Sequence, residues 1–115
     1  MNVLSVDAFT RAINQAHGTK TVLQRVHFVA GHSTGWHTHP GPNIVMVVSG
    51  GLTLTDDHCN TTHYGPGQGF ATGLDVHEAI ADNNSEGTNF YSLNLLPQNA
   101  DVLRTDAAAP GCTSK

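Results

Sequence analysis

The fold of this chain is decided by the stretch Trp36-His37-Thr38-His39-Pro40-Gly41-Pro42-Asn43, in which two histidines stand on either side of one residue. On an extended strand, side chains two residues apart point to the same face, so His37 and His39 would lie side by side. Neutral imidazole nitrogens are common ligands of first-row transition metals. The stretch therefore indicates half of a metal site, and a third histidine, His77, stands at the start of a later strand-like segment.

Short runs of β-branched and aromatic residues, separated by Gly, Pro and Asn, surround this stretch from Thr21 onward. Such a pattern is typical of an all-β sandwich or barrel, and eight strands would suit a jelly roll of two packed sheets. The strands are expected near residues 21–29, 35–39, 43–49, 51–56, 61–64, 69–72, 76–82 and 88–96. One short helix is predicted ahead of them, over residues 5–16, where apolar residues recur at three- and four-residue spacing.

The length of 115 residues predicts a single domain over residues 1–115. Its barrel core would span about 21–97. The remaining residues, 98–115, are poor in large apolar side chains and are expected to form an extended or partly mobile C-terminal arm.

The strand predicted over residues 43–49 is apolar on both faces. One face carries Asn43, Val45 and Val47, and the other carries Ile44, Met46 and Val48. A strand that is apolar on both sides is normally covered on both. The second face would be covered either by a second subunit, in a homodimer, or by the N-terminal segment, and the sequence leaves both open. The Gly50-Gly51 pair predicts a tight hairpin into the next strand.

Composition excludes several classes of partner. The net charge is −4 and the five Lys and Arg residues are scattered, so no basic stripe is available for nucleic acid. No apolar run reaches the roughly 18 residues of a membrane span, and the N-terminus lacks the basic and apolar regions of a signal peptide. We therefore expect a soluble, cytoplasmic protein with a small-molecule ligand or substrate and with no nucleic-acid or membrane partner.

The two cysteines, Cys59 and Cys112, leave a question open. A disulfide between them would pin the C-terminal arm to the loop around residues 56–60 and would favour an extracytoplasmic location. Two free thiols in a reducing cytoplasm are the alternative.

Two motifs resemble those of the cupin superfamily. The first is carried by Gly31, His37, His39, Asn43 and Gly50, and the family pattern has a glutamate where this chain has Asn43. The second is weaker: Gly65-Pro66-Gly67-Gln68-Gly69-Phe70 is similar to its Gly/Pro-rich turn, His77 stands where its histidine is expected, and Ala81 replaces its asparagine. The resemblance spans about residues 31–84 and implies a double-stranded β-helix, a fold that supports many different activities.

The resemblance also implies one divalent transition metal (Zn, Fe, Ni, Cu or Mn) bound by His37, His39 and His77. The standard fourth ligand is a glutamate, and an amide is a poorer ligand than a carboxylate for Fe(II) or Mn(II). Three alternatives follow for the remaining position. It stays open, or Asn43 acts as a weak or outer ligand, or Asp75, which shares the strand face of His77, supplies a carboxylate.

Two functions fit these expectations. The first is dioxygenase, lyase or isomerase chemistry on a small organic molecule at a three-histidine metal site, where Ala79 and Ala81 beside His77 would leave room for a ligand. The second is a non-catalytic small-molecule binding or sensory barrel. No arrangement of a nucleophile and a base stands out by spacing, so no catalytic residue is assigned.

Overall fold

A computed structural model describes residues 19–112, and this part of the chain forms nine β-strands. In chain order they are β1 (Thr19–Phe28), β2 (His37–Thr38), β3 (Asn43–Ser49), β4 (Leu52–Thr55), β5 (Thr61–Tyr64), β6 (Gly69–Thr72), β7 (Glu78–Ala81), β8 (Thr88–Pro97) and β9 (Thr105–Asp106). The all-β prediction is confirmed, and each of the eight expected strands is present. The helix predicted over residues 5–16 lies outside the described residues.

The strands form two main sheets and one short pair, with every pairing antiparallel. One sheet has the order β1-β8-β3-β6, the other has the order β5-β4-β7, and β2 pairs with β9. The strand order does not follow the chain order, as expected for a jelly roll. Between residues 19 and 112, no helix is long and apolar enough to cross a membrane.

A small apolar cluster lies between the two main sheets. It consists of Val45, Val47, Leu52, Ala81 and Phe90, all buried. The alternation predicted for β3 is confirmed, since its odd-numbered residues from 43 to 47 face this interior. Burying a Val, Leu or Phe side chain contributes about 1.5–3 kcal/mol, so this cluster accounts for much of the attraction between the sheets.

The opposite face of β3 is partly open in the described residues. Met46 is 46% exposed and Val48 is 44% exposed. The homodimer expected from this face stays a prediction.

The hairpin predicted between β3 and β4 is wrong. β3 pairs with β6 and β8, whereas β4 pairs with β5 and β7, so Gly50-Gly51 carries the chain from one sheet to the other. Thr88 fixes this corner, because its hydroxyl accepts a hydrogen bond from the Gly51 amide (3.0 Å) and donates one to the Gly51 carbonyl (2.9 Å). Gly50 has φ +80°, and a side chain there would collide with the Gly87 carbonyl. The glycines serve the close approach of two sheets rather than a tight reversal.

The C-terminal arm is anchored rather than loose over residues 98–112. Its short strand β9 pairs with β2, the strand that carries His37. The Ala107 amide donates to the Trp36 carbonyl (3.0 Å). A disulfide joins Cys59 to Cys112, whose Cα atoms are 5.4 Å apart. Between residues 98 and 112 the arm is therefore held in two places, against the strand that begins the histidine pair and by the disulfide at Cys59.

Candidate metal centre

His37 and His77 face each other across an isolated antiparallel bridge. The His37 amide donates to the His77 carbonyl and the His77 amide donates to the His37 carbonyl, both at 3.0 Å. His39 lies two residues beyond His37, so its ring projects from the same side. The three rings gather closely, with centroids 4.4 Å apart for His37 and His77, 4.9 Å for His37 and His39, and 5.1 Å for His39 and His77. The structure therefore brings all three predicted ligand residues together.

Each imidazole is oriented by a backbone carbonyl. The Nδ1 of His37 donates to the Gly35 carbonyl (2.8 Å), that of His77 to the Asp75 carbonyl (2.9 Å) and that of His39 to the Leu103 carbonyl (2.9 Å). A carbonyl oxygen only accepts, so each Nδ1 carries its proton. In the neutral ring Nε2 is then left with a free lone pair, which is the form that binds metals.

The arrangement fits a single divalent ion. One ligand nitrogen from each histidine lies within 4.8 Å of the others, and all three residues are buried. His37, His39 and His77 would hold such an ion through one nitrogen each, and bound zinc would draw these nitrogens closer together than they are here. Within residues 19–112 this metal-compatible group consists of three histidines and no carboxylate.

The electrostatics of the centre favour neutral imidazoles. Burial lowers the pKa of His37 to about 4 and also lowers the pKa of His39 and His77, because a charged ring would lose its hydration. The positive charge of Arg104 lowers all three pKa values further. The backbone carbonyls oppose these effects without overcoming them. The rings are thus ready for a metal at pH values where an ordinary histidine is partly protonated.

We expect the metal-free protein to lose stability as the pH falls from 7 to 5. The histidines of the unfolded chain take up protons near pH 6.5, whereas the three buried rings have lowered pKa values, so the unfolded state binds more protons. Their contribution is fully present above pH 6.5 and is lost as the pH falls toward the folded pKa, at up to about 1.4 kcal/mol per pH unit for each proton. Urea unfolding in the presence of a chelator measures it.

The His37→Gln variant serves as the control for this experiment, because it removes one of the three titrating rings and should flatten the dependence. An unfolding free energy that stays constant between pH 7 and pH 5 would contradict the expectation.

Asn43 makes hydrogen bonds that a carboxylate has no proton to make. Its Nδ2 donates to the Ser92 hydroxyl (2.8 Å), to the Asn94 Oδ1 (2.9 Å) and, more weakly, to the Leu93 carbonyl (3.4 Å). A glutamate here would place a carboxylate, which only accepts hydrogen bonds, against the Leu93 carbonyl and the Asn94 Oδ1, which are also acceptors. The amide thus ties β3 to β8 beside the histidines. The role of Asn43 toward an ion stays a prediction.

Asp75 contributes through its backbone. Its carbonyl orients the His77 ring, whereas its side chain lies exposed to solvent. The expectation that its carboxylate completes the shell stays a prediction.

A cavity of about 310 Å³ opens beside the three histidines. Apolar and aromatic side chains form much of its wall, and Ser92, Asn94 and Asn43 add hydrogen-bonding groups. Its lining residues are Gln24, Val26, Phe28, Thr34, His37, His39, Asn43, Val45, Leu52, Phe70, His77, Ala79, Phe90, Ser92, Asn94, Leu103 and Arg104. They include no Asp or Glu. The dimensions and the wall suit a small, partly apolar molecule.

Sequence reasoning missed several groups of this cavity. Ser92 and Asn94 share the inward face of β8 with Phe90, and period-two alternation from Phe90 would have found them. Arg104 had no such signal, because it lies in the polar arm. Phe70 and Phe90 line the cavity, whereas Tyr91 turns away from it and lies 5.9 Å below the guanidinium of Arg25.

No protein-family model matches this sequence, and no curated protein matches it. Several solved structures share its fold. A protein with a double-stranded β-helix domain from Klebsiella pneumoniae is 27% identical, with a TM-score of 0.60, over 72% of this chain and 69% of its own. An RmlC-like cupin family protein from Methanocaldococcus jannaschii, 18% identical, superposes with a TM-score of 0.58 over 68% of this chain and 71% of its own. The chain has a cupin fold.

A third solved structure that superposes on this chain is that of the polyketide cyclase RemF from Streptomyces resistomycificus. It is 19% identical, with a TM-score of 0.61, and the match covers 78% of this chain and 64% of RemF. The match to the RmlC-like cupin confirms, at the level of the fold, the cupin resemblance predicted from the two motifs. Because one cupin barrel supports many chemistries, function has to be argued from the histidine centre itself.

Proposed function

We propose that this cupin binds one divalent transition metal through His37, His39 and His77 and acts on a small organic molecule by dioxygenase, lyase or isomerase chemistry. One observation carries the proposal: each Nδ1 is held by a backbone carbonyl, so three unprotonated Nε2 atoms converge in a cavity. A surface cluster of histidines would need neither the burial nor three separate orienting bonds. A centre built for an ion needs both.

The chemistry of this centre would depend on charge. A bound divalent ion would supply Lewis-acid or redox chemistry at an oxygen atom of the substrate. The three imidazoles are neutral, and among residues 19–112 no carboxylate lines the cavity, so none of these wall residues would reduce the charge that an oxygen donor of the substrate meets. Val45, Phe70 and Phe90 would exclude water from the substrate, and Ser92 and Asn94 offer hydrogen bonds that would orient it.

Replacing Asn43 with glutamate tests whether this position tunes the metal. In the Asn43→Glu variant, we expect the affinity for Mn(II) and Fe(II) to rise relative to that for Zn(II), because a hard carboxylate oxygen then lines the site. Competitive metal titration under anaerobic conditions measures the ratio. The Asn43→Gln variant is the matched control, because a glutamine side chain is as long as a glutamate side chain but carries no charge. It should leave the ratio of metal affinities near that of the wild type.

Equal selectivity in the wild type and in both variants would place residue 43 outside the reach of the ion. Turnover or oxygen consumption by the metal-loaded wild type, measured against a panel of small organic molecules, tests the catalytic part of the proposal.

A second candidate is a non-catalytic binding or sensory barrel. It is favoured by the cavity wall that residues 19–112 form, where the titratable groups are the three histidines and Arg104 and no separate general acid or base is present. This alternative predicts ligand binding without turnover in the metal-loaded protein. Product formation by the wild type, lost in a metal-free sample, would rule it out.

A further inference from the structure

Arg104 brings a permanent positive charge to the metal cavity. Of the lining residues in the described range 19–112, it alone is charged at every physiological pH, and none of them is an Asp or Glu. Its guanidinium lies near enough to the three imidazoles to lower the pKa of each. Its side chain is 40% exposed, so it stands where the cavity meets solvent.

The position of Arg104 is fixed by the arm. The residue directly precedes β9, which pairs with the strand of His37. Its Nη2 donates to the Thr34 carbonyl (2.6 Å) and to the Asp106 carboxylate (3.1 Å). The Asp106 side chain is 89% exposed, so water weakens this ion pair.

Part of the guanidinium remains available to a ligand. A guanidinium has five N–H donors, and the two contacts above use Nη2. Within residues 19–112, the N–H groups on Nε and Nη1 have no hydrogen-bond partner in the protein. These donors are therefore open to a ligand or to water at the mouth of the cavity.

We propose that the cavity takes a small organic carboxylate, whose charged group is recognised by Arg104 and whose apolar body lies against Val45, Phe70 and Phe90. This inference rests on the proposed function, since it names the substrate class of the same centre. Three neutral ligands would leave the divalent charge of the ion uncompensated, and Arg104 adds another positive charge beside a largely apolar wall. Opposite charges attract each other strongly where little water separates them. The carboxylate group of a small organic anion would supply the negative charge that these positive charges attract.

The test uses benzoate and its neutral isostere benzamide as probes, with binding measured by calorimetry on the Zn(II)-loaded protein. We expect benzoate to bind at least about tenfold more tightly than benzamide. The Arg104→Gln variant should weaken benzoate binding by about 10- to 100-fold, as expected for a lost hydrogen bond to a charged group, and should leave benzamide binding unchanged. The Arg104→Lys variant, which keeps the charge but not the fork, should give an intermediate value.

Arg25→Gln is the matched control, because it removes an arginine from the outer face, over Tyr91, without touching the cavity. It should leave benzoate binding unchanged. Equal benzoate affinity in the wild type and Arg104→Gln would overturn the proposal, as would equal affinity of the wild type for benzoate and benzamide. A parallel loss of benzamide binding in Arg104→Gln would also overturn it, since that result indicates a collapsed arm.

Metal content separates this inference from the proposed function. Arg104→Gln should retain one equivalent of Zn(II), because Arg104 is not among the three histidine ligands. If the protein binds no metal at all, the proposed function fails, and the same comparison in the metal-free protein still decides the role of Arg104. If metal binds but Arg104→Gln has no effect on benzoate, the substrate class fails and the metal centre stands.

Discussion

Replacing His77 with alanine is expected to remove the bound metal while leaving the barrel folded. The ring supplies one of three ligand nitrogens, and its backbone bridge to His37 does not depend on the side chain. Removing even a group that only orients a ligand costs about 10- to 100-fold in metal affinity, so losing the ligand itself should cost more. The metal content after gel filtration, measured by elemental analysis, should fall from about one equivalent per chain to a trace.

The control is His58→Ala, because the His58 side chain is 80% exposed and lies outside the cluster. It should keep its metal. Circular dichroism and thermal unfolding of the chelated proteins check that His77→Ala retains the β-fold. The His37→Ala variant should behave in the same way, and stoichiometric metal in both variants would sink the assignment of the centre.

Loss of the disulfide is expected to weaken both the fold and the metal centre. Cys59 and Cys112 are 53 residues apart, and cross-linking a loop of that size stabilises a protein by about 4 kcal/mol in the chain-entropy treatment. The same arm carries the Leu103 carbonyl that holds the His39 ring. A Cys59→Ser, Cys112→Ser double variant should therefore unfold at lower urea concentration and bind Zn(II) about 10- to 100-fold more weakly.

Zinc titrations of this variant belong at a temperature where it remains folded, so that a change in affinity is not a change in folded fraction. The matched control is the wild type carried through the same titration without reductant, with thiol counting to verify the bond. An affinity equal to that of the wild type would contradict the expectation, because it would mean that the pairing of β2 with β9 holds the arm by itself.

Much of the fold was predictable because strand formation depends largely on local sequence patterns. The strands are indicated by the alternation of side chains along β3 and by the Gly, Pro and Asn residues between strands. The two-residue spacing of His37 and His39 places them on one face. The position of His77 depended on the second motif. The exchange of backbone hydrogen bonds between His37 and His77 is a property of the folded sheets that no local pattern contains.

The features that the sequence did not predict correctly were missed for physical reasons. The Gly50-Gly51 pair is compatible both with a tight hairpin and with a crossing between sheets, and the crossing follows from strand pairings that lie outside this local sequence. The acceptors for the three Nδ1 atoms are backbone carbonyls, which every residue possesses, so composition cannot reveal them. The position of Arg104 was not predicted, because the strand that follows it, β9, has two residues and is too short to show a periodic pattern in the sequence.

The hydrogen bond from His39 to Leu103 joins two residues that leave the ribosome at different times. The two residues are 64 positions apart, so the first histidine pair is synthesised long before the carbonyl that orients one of its members. During synthesis, which proceeds from the N-terminus, His37 and His39 exist for some time as an unfinished centre. A metal bound by the three histidines would therefore be held with the affinity of the complete centre only after the arm has docked.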